Sequence, residues 1–344
     1  MAARTIQVPQ WDSLDFSYRP TGYTYVQEYK GCWEDYTLSQ SSDHRIHQAA
    51  SAINYGQGIF EGLKAQRNKE GTVMVFRPEL NAARLQDGAK RMCMQKVVQK
   101  QFINAIKLVV QENHMFVPPF GKGSLYIRPL LLGSGPKLGI GPAPSYSFII
   151  FVSPVGPYFK DGTKSIRLKI PEDIHRATLG GTGCVKAIGN YAPGMYHVCK
   201  AKEEGFDELL YLDARNNTYI EECGAANFFT VKDGVLYTPP LSGTILPGIT
   251  RRSVLEIAEV LGIPTEICPL KVSDVFAADE CFCTGTAAGV TPVGSIVYQD
   301  VEGVYHGGVF GPVTQKLRDA LQDVKSGAQH KLLEPFYEWN MRVG

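Results

Sequence analysis

The sequence predicts an α+β architecture in two domains. Strand-like runs follow one another through short turns between residues 207 and 240, and helix-like runs stand apart from them with stop signals of their own. With 344 residues, the chain is also longer than one hydrophobic core usually serves. Strands joined as a meander, with helices elsewhere, disfavour a doubly wound parallel sheet.

Residues 45–156 alternate between the two periods. "TVMVF" (72–76) reads as a strand, while "NAARLQDGAKRM" (81–92) and "QFINAIKLVVQEN" (101–113) read as helices. "SLYIRPLLLG" (124–133) and "SYSFIIFV" (145–152) are short apolar runs, rich in aromatic and branched residues and bounded by glycine and proline, as buried strands are. Pro154, Gly156, Pro157 and Gly162 then punctuate "SPVGPYFKDG". The expected division is a small N-terminal domain over 1–156, a linker over 157–164, and a larger C-terminal domain over 165–344. In the second domain, Asn216-Asn217 and Lys232-Asp233-Gly234 supply two turns between three strand-like runs. Val254, Ile257, Ala258 and Leu261 share a helical stripe that Gly262 and Pro264 end, and Val313, Leu317, Ala320, Leu321 and Val324 mark a last helix. No internal repeat is present.

Composition excludes several classes. At 44% apolar and 20% charged the chain is ordinary for a globular protein, which disfavours disorder and fibres. A net charge of +1 without blocks of like charge points to neither a nucleic-acid nor a membrane partner. Apolar runs never reach the roughly 20 residues of a spanning helix. The eight cysteines lack paired spacing, so they read as reduced and mostly buried. Cys281-Phe282-Cys283 is too tight for a zinc knuckle, and no metal site is expected. "MAARTIQVPQWDSLDF" has neither an apolar signal core nor an Arg/Ser-rich amphipathic run. The chain as written therefore reads as cytoplasmic; a plastid or mitochondrial form stays open if a transit peptide was removed.

The chemistry centres on "GGTGCVKAIGNYAPG" (180–194), where Lys186 is the only charge among small and apolar residues. Three readings compete. The stem could pack on apolar neighbours while the ammonium reaches water. A phosphate loop fits poorly, because Val185 precedes the lysine and Ala187 follows it, unlike GxxxxGK[ST]. A Schiff-base lysine fits well, because burial lowers an amine's pKa toward the unprotonated form that attacks a carbonyl. If that carbonyl is pyridoxal phosphate, the chain must also supply an acid for the ring nitrogen and donors for a phosphate.

Both can be proposed from the residues. Glu221 and Glu222 stand in a mostly apolar strand, where alternation puts one carboxylate inside and the other outside. "LPGITRRSV" turns into a helix at Gly248, so the amides of Ile249 and Thr250 would favour an anion. "CTGTAAG" offers Thr284 and Thr286 in a hydroxyl-rich turn, and Arg84 could add a fixed positive charge.

In this order, "GQGIFEGLKAQR", "FRPELNAARL", "YIRPLLLGSGP", "SPVGPYF", "GGTGCVKAIGNYAP", "YIEECGAANFF", "GTILPGITRRSV" and "CFCTGTAAGVTPVG" resemble the fold type IV pyridoxal-phosphate enzymes. Within them the likeness is to the branched-chain amino acid aminotransferases of the plant-type and bacterial long-chain branch, over about Gln57 to Gly327. The resemblance implies two α/β domains with pyridoxal 5'-phosphate at their interface. Lys186 would carry the cofactor and shuttle the substrate proton. Tyr191 would meet the ring hydroxyl and Glu222 the ring nitrogen, with Glu221 facing away. Arg84, Ile249, Thr250 and Thr286 would hold the phosphate, and the amides of Thr286 and Ala287 the substrate carboxylate.

The resemblance further implies that Tyr55, Phe60 and Tyr126 enclose a branched aliphatic side chain, while Arg128 clamps the distal carboxylate of glutamate or 2-oxoglutarate. Leu138 and Ile140 would complete the neighbouring subunit's pocket in a homodimer. Two departures stand out. Ala288 and Thr291 occupy the places of a redox-active CxxC in the animal enzymes, and Ala225 replaces a threonine of some members, leaving a slightly larger and less polar pocket. The implied reaction passes the amino group of leucine, isoleucine or valine to 2-oxoglutarate by a ping-pong mechanism. The alternatives are a methionine or chain-extended methionine aminotransferase, a D-amino acid or (R)-amine transaminase of the same fold, and a protein that only binds a phosphorylated ligand.

Overall fold

The computed structural model describes residues 7–156, 165–327 and 330–344. The expected linker, 157–164, lies outside the described residues.

Two sheets organise the chain. In the first, every pairing is antiparallel, in the order Asn340–Val343, Val73–Phe76, Leu63–Arg67, Ser124–Gly133, Tyr146–Val155, Thr24–Tyr29, Thr37–Ser39, and Gly58–Phe60 also pairs with Ser124–Gly133. Helices Pro78–Arg91 and Gln99–Glu112 cover it, because Leu85, Ala89, Phe102, Ile106 and Val109 recur at helical spacing. All five are buried against strand residues such as Ile127 and Phe148. Arg128 and Tyr126 belong to the Ser124–Gly133 strand and so are fixed by ten consecutive pairings with its neighbour.

The second sheet runs Ile220–Cys223, Glu208–Leu212, Ile166–Lys169, Gly289–Tyr298, Glu280–Gly285, Asn227–Lys232, Val235–Thr238, Thr265–Ile267, with Val301–Val304 on Gly289–Tyr298. A further pairing, Glu222 with Asn227, closes its first six strands into a ring. Helices Ile249–Val260 and Pro312–Ser326 pack Val254, Ile257, Leu317 and Val324 onto the stacked Phe229 and Phe282 rings, whose centroids lie 4.9 Å apart. Truncating the fully buried Leu317 to alanine would cost about 2–5 kcal/mol.

Four expectations need correction. The run "YIEECGAANFFTV" is two strands, because the chain bends at Gly224–Ala226 and returns at once, pairing Glu222 with Asn227. Ser153, Pro154 and Val155 are strand residues paired with Tyr126, Leu125 and Ser124, so strand continues past the proline at 154 that reads as punctuation. The last strand, Asn340–Val343, joins the first sheet beside Val73–Phe76 and not the domain expected over 165–344. Among the free cysteines only Cys223, Cys281 and Cys283 are buried, and Cys32, Cys93 and Cys199 are exposed.

Candidate active site

Lys186 is positioned by a glycine-rich loop that side chains hold in place. Asn190 Nδ2 donates to the carbonyls of Thr182 and Val185, both at 2.8 Å, and Asn190 Oδ1 accepts from Thr182 Oγ1 at 2.5 Å. Gly183 is required by a close approach: a Cβ there would meet the Thr244 carbonyl at 2.2 Å. The Lys186 carbonyl accepts from the Phe60 amide at 3.0 Å, tying the loop to the first sheet. Lys186 Nζ then lies 3.2 Å from Tyr191 Oη and 4.5 Å from the centre of the Phe60 ring.

This amine faces a cavity of about 480 Å³ between the two sheets. Burial, then the charges of Arg84 and Arg128, push its pKa down to about 8. Burial also raises Tyr191 well above the usual phenol value.

Glu222 sits at the ring closure. Oε2 accepts from Asn227 Nδ2 at 2.8 Å, and Oε1 accepts from the Leu246 amide at 2.9 Å and from Arg176 Nη2 at 2.5 Å. Burial pushes Glu222 up to about 7, against the pull of Arg176 and the Leu246 amide. Glu221 is corrected: it is 5% exposed, not solvated, and it accepts from the Thr244 hydroxyl, since this short strand has buried surroundings on both faces.

Arg84 reaches the cavity from helix Pro78–Arg91. Its Nε and Nη2 donate to Glu61 at 2.8 and 2.7 Å, and Nη1 to the Pro247 carbonyl at 3.0 Å. Burial works against this cation, yet Glu61 more than offsets it and its pKa is raised. Across the cavity, helix Ile249–Val260 starts at Gly248 without a side-chain cap, and the amides of Ile249 and Thr250 have no partner among the described residues. Gly248 cannot be replaced freely, because a Cβ would fall 1.9 Å from Asn227 Oδ1.

Thr286 and Ala287 form the tip of the hairpin between Glu280–Gly285 and Gly289–Tyr298 and line the same space. Phe60, Tyr126 and Arg128 make its aromatic wall. The Arg128 guanidinium lies 4.6 and 5.1 Å from the two ring centres, and Nη2 donates to Tyr126 Oη at 3.0 Å. Its Nε is buried without a partner, and no carboxylate among the described residues pairs with it.

The structure thus gathers Lys186, Tyr191, Glu222, Arg84, Ile249, Thr250, Thr286, Ala287, Phe60, Tyr126 and Arg128 around one cavity. Tyr55 is the exception. It is 43% exposed, and its hydroxyl donates to the Leu138 carbonyl on the outer loop. Helix Ser51–Tyr55 ends there in a left-handed Gly56, which leaves the ring outside. Leu138 and Ile140 are 89% and 90% exposed and do not line this chain's cavity. Sequence reasoning missed Arg176, Glu61 and Asn227, which hold the groups it found. The signal for Glu61 was the one used for Lys186, a single charge between Phe60 and Gly62 in an apolar run.

A model of the class IV amino-transferases matches residues 58–296. The chain is 47% identical to the chloroplastic branched-chain amino acid aminotransferase 2 of Humulus lupulus, covering 92% of this chain and 78% of that one. It is 48% identical to the mitochondrial branched-chain-amino-acid aminotransferase 1 of Arabidopsis thaliana, covering 97% and 86%. A methionine aminotransferase of Arabidopsis thaliana is 41% identical over 92% of this chain and 90% of its own. Among solved structures, the branched-chain amino acid aminotransferase of Escherichia coli superposes with a TM-score of 0.81 at 29% identity, covering 94% of this chain and all of that one. The fold and site define a pyridoxal-phosphate enzyme of fold type IV. The chain belongs to the class IV aminotransferases.

The residues present fit that class's cofactor. Among the described residues Thr284 Oγ1, buried on the cavity wall, and the two helix amides have no partner, and an amine of lowered pKa lines the same cavity as the buried Glu222 carboxylate. Phosphate, ring nitrogen and aldehyde each have a counterpart.

Proposed function

We propose that the enzyme moves the amino group of L-leucine, L-isoleucine or L-valine to 2-oxoglutarate, giving branched 2-oxo acids and L-glutamate. The observation that carries this reading is the setting of Arg128: one guanidinium with an unpartnered Nε between the Phe60 and Tyr126 rings, in the cavity that holds Lys186. Such a pocket offers apolar surface to an aliphatic side chain and a planar donor to a distal carboxylate.

When bound, pyridoxal phosphate supplies the electron sink for the pair left at the substrate α-carbon. The Lys186 amine accepts and returns the α-proton at Nζ, a role suited to a base poised near neutrality. Glu222 holds the ring nitrogen and Tyr191 the ring hydroxyl. Arg84 and the amides of Ile249 and Thr250 secure the phosphate, with the Thr286 hydroxyl. The amides of Thr286 and Ala287 orient the substrate carboxylate. Since donor and acceptor would use one pocket in turn, initial-rate plots should be parallel; intersecting lines would overturn the ping-pong order.

The exposed Leu138 and Ile140 support a homodimer in which this loop, with Tyr55, closes the neighbour's pocket. Light scattering that gives a monomer would remove this part. The two-domain division at 157–164 belongs to the same proposal. So does a cytoplasmic location of the chain as written; the chloroplastic and mitochondrial names of its relatives support the organellar alternative, and cell fractionation decides. A donor panel of leucine, isoleucine, valine, methionine and phenylalanine with 2-oxoglutarate tests the substrate. Equal, feeble rates on all five would overturn the branched-chain reading. Ala225 and the relative named as a methionine aminotransferase favour one second reading, a preference for methionine, which the same panel would show.

A further inference from the structure

A second cleft, of about 890 Å³, adjoins the Lys186 cavity along Gly62, Ile249, Thr250 and the Thr286–Ala288 hairpin, and is lined by neither Lys186 nor Glu222. One wall is the Leu63–Arg67 strand, where Lys64 and Gln66 alternate with the buried Leu63 and Ala65. The other is helix Pro312–Ser326. Its core stripe is Leu317, Leu321 and Val324, and its cleft-facing stripe includes Arg318, Gln322 and Lys325.

The cleft carries surplus positive charge. Its two carboxylates are already engaged, Asp12 by Lys122 at 2.5 Å and Asp319 by Gln315 at 2.7 Å. Arg67 is spent on the carbonyls of Gly71 and His114. Among the described residues Lys64 donates only to the Ala287 carbonyl, at 2.9 Å, with the Phe16 ring 6.0 Å from its Nζ. Lys325 has the Phe76 ring, 5.1 Å from its Nζ. Among the described residues no carboxylate pairs with either lysine. Burial, then the charge of Lys325, pushes Lys64 down to about 7, and burial pushes Lys325 down to about 8. A lysine in a helix's last turn is favoured by the helix dipole. That preference does not account for two partly enclosed ammonium groups that line one cleft.

We propose that Lys64 and Lys325 form a binding site for a phosphate-type dianion, either inorganic phosphate or the phosphate of a small metabolite. Lysines act on phosphate as point charges from separate directions, whereas a planar carboxylate is better met by a guanidinium fork. A dianion in the cleft would give both ammonium groups an anionic partner.

The test is calorimetry on the holoenzyme, whose cofactor phosphate site is filled, at constant ionic strength. The probes are inorganic phosphate, glycerol 3-phosphate and succinate. Saturable phosphate binding at one site per chain is expected, weakened at least tenfold in K325M and in K64M and kept within threefold in K325R. Tighter binding of glycerol 3-phosphate than of phosphate would place the ligand among phosphorylated metabolites, and the reverse would place it as the free ion. Absence of saturable binding, unchanged binding in a K325M protein whose circular dichroism is native, or succinate binding as tight as phosphate would each overturn the proposal. Should K325M fail to fold, K64M and K325R decide alone. None of these outcomes depends on which amino acid the enzyme prefers.

Discussion

Arg176 Nη2 lies 2.5 Å from Glu222 Oε1, and the same nitrogen reaches the carbonyls of Gly183 and Thr244 at 2.9 and 2.5 Å. One guanidinium therefore ties the acid of the cavity to the loop that carries Lys186. Both side chains of the pair are enclosed, 9% and 4% exposed, so removing the cation leaves a buried carboxylate uncompensated. Arg176→Met should cost about 3–5 kcal/mol in denaturant unfolding and weaken cofactor binding. Arg176→Lys should recover only part of the loss, because an ammonium is more strongly hydrated than a guanidinium and costs more to bury. Wild-type stability in the methionine variant would contradict this assignment.

Lys186 supplies a prediction with a defined sign. Its pKa falls from 10.5 to about 8, chiefly through burial, so the folded apoprotein prefers the neutral amine. The contribution of this group to stability is full above pH 10.5 and is lost as pH falls through 8. At pH 7 the buried ammonium opposes folding by up to about 3 kcal/mol. Lys186→Met apoprotein should therefore melt higher than wild type at pH 7 while having no transaminase activity. Amine-selective labelling of Lys186 in wild-type apoprotein should have its midpoint near pH 8.

Gly248 is a packing test of the phosphate end. A methyl group there would overlap Asn227 Oδ1, and Asn227 also holds Glu222. Gly248→Ala should destabilise by about 1–3 kcal/mol and lower cofactor affinity, read by thermal melting and by fluorescence titration of the coenzyme.

Arg128→Gln separates the two substrates. Loss of the guanidinium should raise KM for 2-oxoglutarate at least tenfold and leave KM for leucine within about threefold, because only the first brings a distal carboxylate. Equal losses for both would assign Arg128 to the pocket wall alone.

Much of this site was legible before any coordinates. Lys186 and Glu222 stood out because burying a charge is costly unless chemistry or a partner requires it. Helix and strand periods gave the runs at 81–92, 101–113 and 124–133 and the stripe over 254–261, because repeated apolar spacing reports which face is buried. Arg176 and Asn227 gave no such signal. Their shared partner, Glu222, lies 46 and 5 residues away in sequence, and the second pairing exists only because the chain reverses at Gly224–Ala226.

By itself, the order of residues determined the reactive groups and most of the elements that carry them, since side-chain chemistry and local periodicity are written one residue after another. The tertiary structure decided what those groups face. It closed six strands at Glu222 and Asn227, sent Asn340–Val343 back to the first sheet, and left Tyr55 outside the cavity. Each outcome depends on pairing between distant segments, and backbone hydrogen bonds across a sheet are satisfied by whichever strand arrives, with no mark in the local sequence.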